Sequence, residues 1–375
     1  MKIVFVSNYF NHHQKPFCEE LYKRFGKDFA FVSTSVMREE RKQLGYSQND
    51  HPAYVCLAHK GREQRREALT MINAADVVIA GSAPNWMLLK RILKGKLLFR
   101  YSERPFKRKI SFVRKFYHAV GFRLKDLFKK NIYLLCAGAY VAGDYNSIGM
   151  YKNRTYKWGY FPETRQYDTE ALFREKETDT LLWCGRFIDW KHPDVAIRLA
   201  KRLKDAGYHF KLNMIGTGVM DAELRRMVDE YCLNDTVYFL GAMSPDQVRS
   251  HMEKAGIFLF TSDRQEGWGA VLNEAMNSGC AVVANREIGS VPFLLVHGRN
   301  GFVYSASDPD ALFYSVERLL GHSERQQAIA EEAYRMILEK WNSCIAVDHL
   351  LKLIDTLDAC QWDKPIEEGV CAKTT

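Results

Sequence analysis

The chain has 375 residues, of which 47% are hydrophobic, 26% are charged and 13% are aromatic, with only 24 Gly and 10 Pro. This length predicts two or three domains with enough apolar residues to bury a substantial core. The composition excludes collagen-like, low-complexity and intrinsically disordered proteins. The longest nearly uncharged apolar run covers residues 132–143. Because a bilayer-spanning helix needs about 18 such residues, we expect no transmembrane segment.

The N-terminal apolar run stops after Val6, so it lacks the long apolar region of a signal peptide. The nine cysteines are scattered, without a Cys-x-x-Cys pair or a zinc-binding spacing. We therefore expect reduced, mostly packed thiols in a cytoplasmic protein. Peripheral attachment to the inner face of the membrane is a further option, because of the charge distribution described next.

The formal net charge of +9 is unevenly divided. Residues 1–163 hold 30 Lys and Arg against 13 Asp and Glu, a net charge of +17, whereas residues 164–375 carry −8. Residues 100–130 alone contribute +9, with aromatic residues interleaved at spacings that wander around a helix. Such a stretch could bind an anionic membrane, or could be a solvated helix that packs its Phe residues on a sheet. Nucleic acid is not expected as a partner, because no nucleic-acid-binding motif accompanies the patch.

Short apolar runs alternate with amphipathic stretches, which is typical of parallel α/β layers. In the first half the predicted strands are 2–6, 29–33, 76–80, 97–101 and 132–135, and the predicted helices are at about 15–25, 64–74, 85–94 and 108–130. In the second half the predicted strands are 180–184, 210–215, 237–240, 257–260, 281–284 and 301–304. Ser244, Pro245 and Gln247 have the spacing of a capping box at a helix start.

The strands read as continuous apolar runs, so helices should cover both faces of each sheet. We therefore predict an α/β chain of two doubly wound, Rossmann-like parallel-sheet domains that face a central cleft. The predicted domains are an acceptor-side domain at 1–163 and a donor-binding domain at 164–345. Residues 346–375 are predicted to form a helix and tail that pack back toward the first domain, with a frayed end after Asp363.

In doubly wound sheets, ligands bind at the carboxyl ends of the strands, so the loops that follow the strands are informative. The loop after the strand 180–184 supplies Arg186 and Lys191, whose planar fork and point charge suit a diphosphate. Gly216 and Thr217 follow the next strand in a tight turn. Because a third Gly is missing, a dinucleotide-binding dehydrogenase is not favoured.

Glu266 and Glu274 lie eight residues apart, the first in a Gly-rich loop and the second one turn into the following helix. Backbone N–H groups at such a helix start attract phosphate. We therefore expect Glu266 to reach sugar hydroxyls and Glu274 to bind a ribose. Taken alone, the pair could also be incidental in a strand–loop–helix unit.

Taken together, these motifs resemble the family 4 retaining glycosyltransferases of GT-B architecture, whose paired glutamates lie in a Glu-x7-Glu motif. The resemblance covers about residues 180–305. It implies a nucleotide diphosphate sugar donor bound by Gly185, Arg186, Lys191, Gly216, Thr217, Glu266, Gly267, Trp268, Gly269, Val271, Leu272 and Glu274. Two departures from the family pattern are visible: residues 288–293 lack the usual acid, and residues 8–14 replace a Gly-rich acceptor loop.

The acceptor-side candidates follow the predicted strands of the first half and are Asn11, His12, His13, Glu103 and Arg104. A His there could accept a proton from an acceptor hydroxyl, and because adjacent residues point to different sides, only one of the pair is expected to act. The predicted catalytic group thus comprises Glu266, Arg186, Lys191 and His12. No metal site and no cofactor are expected, since two fixed cations serve the leaving diphosphate.

The predicted function is a retaining hexosyltransferase (EC 2.4) acting in surface polysaccharide biosynthesis. Its donor would be a UDP-, GDP- or other nucleotide sugar, and its acceptor a saccharide or a polyprenyl-diphosphate-linked saccharide. An anionic membrane surface contacted by residues 100–130 is a further predicted partner. The alternatives are a nucleotide-sugar epimerase or phosphorylase on the same scaffold, or a non-catalytic nucleotide-sugar-binding protein.

Overall fold

Two parallel β-sheets organise the chain, as a computed structural model shows for residues 1–37, 51–108, 111–126, 129–308, 310–358 and 366–374. The chain divides into unit 1, made of Met1–Pro162 and Ser343–Thr375, and unit 2, made of Glu163–Asn342. The predictions that concern Lys109, Phe128 and Cys360 lie outside the described residues.

Unit 1 alternates strands and helices from its N-terminus onward. In chain order its elements are β1 (Ile3–Ser7), α1 (Lys15–Phe25), β2 (Phe29–Ser33), β3 (Val55–Leu57), α2 (Arg62–Ala74), β4 (Val77–Ala80), α3 (Asn85–Leu93), β5 (Leu98–Ser102), α4 (Phe112–Asp126), β6 (Ile132–Ala137), α5 (Val141–Asn146) and β7 (Thr155–Trp158). The strands lie in the order β3-β2-β1-β4-β5-β6-β7, and every pair is parallel.

Sequence patterning did not predict β3 and β7, which lie at the two edges of this sheet. They have only three and four residues, and the three residues of β3 are each partly exposed. The inner strands β1, β4 and β6 are buried along their whole length. Their continuous apolar runs are what a strand covered on both faces requires, and this explains why they were predictable.

Unit 2 repeats the alternation. Its elements are α6 (Thr169–Arg174), β8 (Glu177–Cys184), α7 (Pro193–Asp205), β9 (Lys211–Ile215), α8 (Asp221–Glu230), β10 (Val237–Gly241), α9 (Pro245–Lys254), β11 (Ala255–Phe260), α10 (Val271–Asn277), β12 (Ala281–Asn285), α11 (Val291–Leu294), β13 (Phe302–Tyr304), α12 (Ala311–Glu317) and α13 (Ser323–Lys340). The strand order is β10-β9-β8-β11-β12-β13, again parallel throughout. The predicted capping box at Ser244 is confirmed.

The chain returns to unit 1 with α14 (Ser343–Asp358), which packs on α1 and pairs Asp348 with Arg24. The expected fraying after Asp363 is wrong for residues 366–374. Lys157 of the edge strand β7 donates to Ala372 O at 2.8 Å, and Cys371 donates to Lys157 O at 2.8 Å. Val370 is buried as well. The tail therefore satisfies backbone groups that the edge strand would otherwise leave to solvent.

In both sheets, the side on which successive strands are added changes once. In unit 2 the chain runs outward from β8 through β9 to β10, and then continues on the other side of β8 with β11. Unit 1 does the same at β1 and β4. Loops that leave the carboxyl ends of the two strands at such a point diverge and leave a crevice, which is where open α/β sheets bind ligands. Among the described helices, none combines the length and hydropathy needed to cross a bilayer.

Candidate active site

The two loops at the unit 2 crevice hold the residues on which the functional prediction depends. Residues 185–191 follow β8 and end in a short 3₁₀ turn, Asp189–Lys191, and residues 261–270 follow β11. The loops are joined by a backbone hydrogen bond from Asp263 N to Trp190 O, of 3.0 Å. The fold therefore brings together residues such as Lys191 and Glu266, which are 75 positions apart in sequence, because β8 and β11 are neighbours in the sheet.

Lys191 and Glu266 form an ion pair across this crevice. Their side chains are only 14% and 12% exposed, and Ser262 Oγ donates to the same Glu266 oxygen at 3.2 Å. Lys191 Nζ also lies 5.0 Å from the centre of the Trp190 ring. A carboxylate and an ammonium are thus held side by side with little water access, where their charges act strongly on a bound anion or hydroxyl.

Arg186 lies in the same loop but is exposed. Its guanidinium carbon is 5.8 Å from the centre of the Trp190 ring, on which Lys191 also packs. Within the described residues no carboxylate pairs with it. The loop therefore presents one cation that is already neutralised by Glu266 and one that is available to an incoming anion.

The glycines of the neighbouring loop allow two backbones to touch. A Cβ on Gly216, which has φ +140°, would lie 1.8 Å from Gly185 O, and a Cβ on Gly218 would lie 2.3 Å from Phe187 O. Phe187 N donates to Thr217 O at 2.9 Å, which fixes the two turns against each other. Only glycine fits these two positions, so the Gly-Thr-Gly sequence shapes the loop that carries Arg186.

Trp268 and Leu272 were predicted to contact the donor, but both side chains lie in the core of unit 2 and have no exposed surface. Trp268 Nε1 donates to Asn273 Oδ1 at 2.9 Å, and its ring stacks on Trp341 with centroids 5.4 Å apart. Neither side chain is open to a ligand, so the predicted donor contact of these two residues stays a prediction for their backbone groups. The contribution of the side chains is limited to positioning the loop and its backbone.

Glu274 occupies the first turn of α10 and is mostly buried. Burial raises the pKa of Glu274 to about 7, although Arg249 and Arg165 act in the opposite direction. Arg249 is 4% exposed and donates from Nη2 to Asn277 Oδ1 at 2.7 Å. No sequence pattern marks Arg249, since it lies in the middle of α9 rather than in a loop after a strand. A carboxyl with this pKa can both donate and accept a hydrogen bond near neutral pH.

Segment 288–293, which lacks the acid usual in the family pattern, contacts the Glu266 loop through a hydrogen bond of 3.2 Å from Gly289 N to Glu266 O. One group of loops thus surrounds the carboxyl ends of β8, β9 and β11. It contains nine of the predicted donor-binding residues, at positions 185, 186, 191, 216, 217, 266, 267, 269 and 271. Their roles toward a donor stay predictions.

In unit 1, three of the acceptor-side candidates, Asn11, His12 and His13, occupy the turn after β1, and the other two follow β5. Asn11 Oδ1 accepts from His13 N at 3.0 Å, and the rings of His12 and His13 lie 3.9 Å apart. The expectation that the two rings point to different sides is wrong, because residues 12–14 form a turn rather than an extended strand. His13 also stacks on Tyr160 at 5.8 Å.

Tyr160 connects these histidines to Glu103. Its hydroxyl donates to Glu103 Oε1 at 2.6 Å, and Lys107 Nζ donates to the other carboxylate oxygen at 2.7 Å. No spacing pattern marked Tyr160, which lies two residues past β7, so the sequence analysis did not find it. Arg104 differs from the other candidates. It is 9% exposed, bonds Asp144 at 3.1 Å and thereby links the loop to α5, so its guanidinium is committed to structure.

Residues 165–336 match the family model of the glycosyl transferases group 1. The amylovoran biosynthesis glycosyltransferase AmsK of Erwinia amylovora is 27% identical over 182 residues, which are 47% of this chain and 44% of that protein. The GDP-mannose-dependent alpha-(1-6)-phosphatidylinositol monomannoside mannosyltransferase of Mycolicibacterium smegmatis is 26% identical over 184 residues, 46% of this chain and 48% of that protein. The matches thus span less than half the length of these curated relatives.

The crystal structure of HepE from Anabaena in complex with UDP has a TM-score of 0.68 at 15% identity, over 96% of this chain and all of that one. TarM has the same TM-score at 11% identity, over 94% of this chain and 98% of that one. At these identities the likeness shows the fold. The chain therefore has the GT-B fold of glycosyltransferases, and its residues 165–336 match the glycosyl transferases group 1 family, as the sequence motifs indicated.

Proposed function

We propose that the protein is a retaining glycosyltransferase that moves a sugar from a nucleotide diphosphate sugar to a hydroxyl group. The observation that carries the proposal is the pairing of Lys191 with Glu266, next to the exposed Arg186, at the crevice of unit 2. The family match over residues 165–336 supports the reaction class. The names of the relatives, which include a GDP-mannose-dependent enzyme and a structure with UDP, support the donor class.

The chemical difficulty of this reaction is the negative charge that builds on the diphosphate as the glycosidic bond breaks. In the proposed mechanism Arg186 binds the diphosphate first, because its guanidinium is exposed. Lys191 then shifts from Glu266 to a diphosphate oxygen, and the released Glu266 carboxylate accepts hydrogen bonds from the sugar. Two preorganised cations would therefore stabilise the leaving group without a metal ion.

Retention is proposed to proceed by attack from the face of the leaving group. Glu266 is a carboxylate in the crevice, and it is held by Lys191 and Ser262 in a way that suits hydrogen bonding to hydroxyls. The acceptor is proposed to be a saccharide or a lipid-linked saccharide used for surface polysaccharide. This agrees with the name of AmsK, an amylovoran biosynthesis glycosyltransferase. The enzyme would then act in the cytoplasm, on the inner face of the membrane.

A thermal-shift screen of nucleoside diphosphates and their sugars tests the donor site. A ligand present at 100 times its Kd should stabilise the protein by about 2.7 kcal/mol. Arg186→Ala is expected to reduce that shift, whereas Arg226→Ala, which removes an exposed cation on α8, should preserve it. A screen in which no nucleotide or nucleotide sugar shifts the unfolding temperature would contradict the proposal.

The same ligands separate a transferase from the alternatives. With the donor alone, a transferase releases sugar only slowly to water, whereas an epimerase converts the donor into its epimer with no acceptor present. Nuclear magnetic resonance of the sugar distinguishes these outcomes directly. A protein that binds the donor but consumes it neither with nor without a panel of acceptors would be a binding protein.

A further inference from the structure

A stripe of large apolar side chains runs along the exposed side of α4. Its members are between 41% and 71% exposed and are Val113, Phe116, Tyr117, Val120 and Leu124. At 100° per residue, these five positions fall within an arc of about 100°. We call them the apolar stripe. They are neighbours on one helix face, so their exposure is a continuous feature and not a set of scattered residues.

The opposite side of α4 faces the protein. Ala119 and Phe122 pack against the core of unit 1, and Phe122 contacts Tyr145 with ring centroids 5.1 Å apart. The aromatic residues of this segment therefore fall into two groups, one packed against the core and one exposed. Phe122 and the preceding Phe106 anchor the helix, and Phe116 and Tyr117 face outward. The apolar stripe is thus not needed for the attachment of α4 to its own unit.

Basic residues flank the apolar stripe. Arg114 and Lys125 lie on one side of it around the helix and Arg123 lies on the other. Asp126 provides the single carboxylate of α4, and it is buried in an ion pair with Arg100 at 2.6 Å. The exposed surface of this helix therefore combines apolar and cationic groups without an acidic one.

Helix α3 of the same unit also exposes apolar side chains. Trp86, Leu89 and Leu93 are between 42% and 58% exposed and follow the spacing of one helix face. Lys90 lies at the border of this helix face. The start of α3 is fixed to the end of α4 by a hydrogen bond of 2.9 Å from Asn85 Nδ2 to Lys125 O. Each of these two helices of unit 1 thus exposes apolar side chains with cationic residues beside them.

We propose that unit 1 inserts the apolar stripe, together with the exposed face of α3, into the headgroup region of an anionic lipid bilayer. Aromatic and aliphatic side chains on one face with Lys and Arg beside them are what an interfacial helix requires. A large exposed apolar patch marks an interaction surface, and its cationic border is complementary to anionic headgroups. This inference deepens the acceptor side of the proposed function by adding insertion to charge attraction, and it does not depend on the donor site.

Flotation with vesicles that contain about one third phosphatidylglycerol in phosphatidylcholine tests the proposal. The wild type should bind these vesicles and retain measurable binding at 0.5 M salt, at which simple charge attraction is strongly screened. The triple variant Phe116→Ser, Tyr117→Ser, Val120→Ser keeps every charge and should lose binding at least about tenfold. Because these side chains are exposed, the variant should fold, which the unfolding temperature verifies.

A matched control removes exposed apolar side chains elsewhere. Val219→Ser with Tyr314→Ser alters residues of unit 2 that are 90% and 53% exposed, and it should bind vesicles like the wild type. Brominated lipids should quench the fluorescence of Trp86, and Trp86→Phe should remove that part of the quenching.

Equal vesicle binding by the triple variant and the wild type would overturn the proposal, as would a wild type that binds no vesicles. A wild type that instead self-associates through the apolar stripe, with the triple variant monomeric, would identify a second copy as the occupant and would also overturn it. The nucleotide-induced thermal shift of the triple variant should be unchanged. Failure of the donor site and failure of the membrane surface are therefore separate results.

Discussion

The crevices of unit 1 and unit 2 are built on the same strand order but carry different chemistry. In unit 2 the loops at the switch point contain glycines at close backbone contacts, a largely shielded Lys–Glu pair and an exposed arginine. In unit 1 the corresponding loop after β1 contains Asn11 and two histidines whose ring centroids lie 3.9 Å apart. Topology thus determines where a ligand can bind, and the loop residues determine which ligand it is.

This difference explains why the sequence was informative for one unit and not for the other. Binding a diphosphate requires glycine and cations at fixed positions in a loop, and such a pattern is visible in a sequence. The aromatic and polar side chains of the predicted acceptor side have no comparable spacing. Tyr160, which joins His13 to Glu103, is an example, because only the fold brings these three together.

The comparison is tested most strongly by Lys191→Ala. If the unit 2 crevice binds the leaving diphosphate, this variant should lower turnover about 10²- to 10³-fold. Initial rates of nucleoside diphosphate release measure the effect. Lys204→Ala removes a surface lysine paired with Asp235 and should retain wild-type turnover. Full activity of the Lys191 variant would place the diphosphate elsewhere.

Gly216→Ala tests the backbone contact beneath the crevice. The new Cβ would overlap Gly185 O, and φ of +140° is strained for alanine, so the free energy of unfolding should fall by about 2–4 kcal/mol. Gly207 also has a positive φ, of +83°, but a Cβ added there would face open space. Gly207→Ala should therefore cost only about 1 kcal/mol. Equal losses in chemical denaturation would mean that the close contact does not matter.

Glu274 gives unit 2 a pH dependence that Glu274→Gln should remove. Its pKa of about 7 in the folded protein exceeds its ordinary value of 4.5, so folding favours the protonated form. As pH rises from 4.5 to 7, the wild type should lose about 1–3 kcal/mol of unfolding free energy relative to the variant. Denaturation at pH 4 and pH 8 measures this difference. Parallel pH profiles for the two proteins would show that burial does not perturb this carboxyl.

Tyr160→Phe should produce the smallest effect. It removes the hydroxyl that binds Glu103 but keeps the ring that stacks on His13, so the loss of unfolding free energy should be about 1 kcal/mol. Tyr238→Phe, which removes an exposed hydrogen bond to Asp235 O, should cost less. If both cost the same, the link between Glu103 and Tyr160 contributes no more than a surface bond.

Most of the fold could be predicted from the sequence, because buried parallel strands are continuous apolar runs. Each of the predicted strands is found within a few residues of its expected bounds. Of the two edge strands that were not predicted, β7 alternates polar and apolar residues, and β3 is only three residues long. The inward rotation of Trp268 onto Trp341 could not be predicted, since burial depends on partners distant in sequence. The same holds for Arg249 of α9, whose charge acts on Glu274 of another helix, α10.

The return of the chain from Asn342 to Ser343 has a consequence for biosynthesis. Unit 2 is a continuous segment, whereas unit 1 consists of two pieces separated by 180 residues, Glu163–Asn342. During translation, all of unit 2 leaves the ribosome before α14 can dock on α1 and before the tail can join β7. Unit 2 can therefore mature first, and unit 1 reaches its final form only when the segment Ser343–Thr375 has been made.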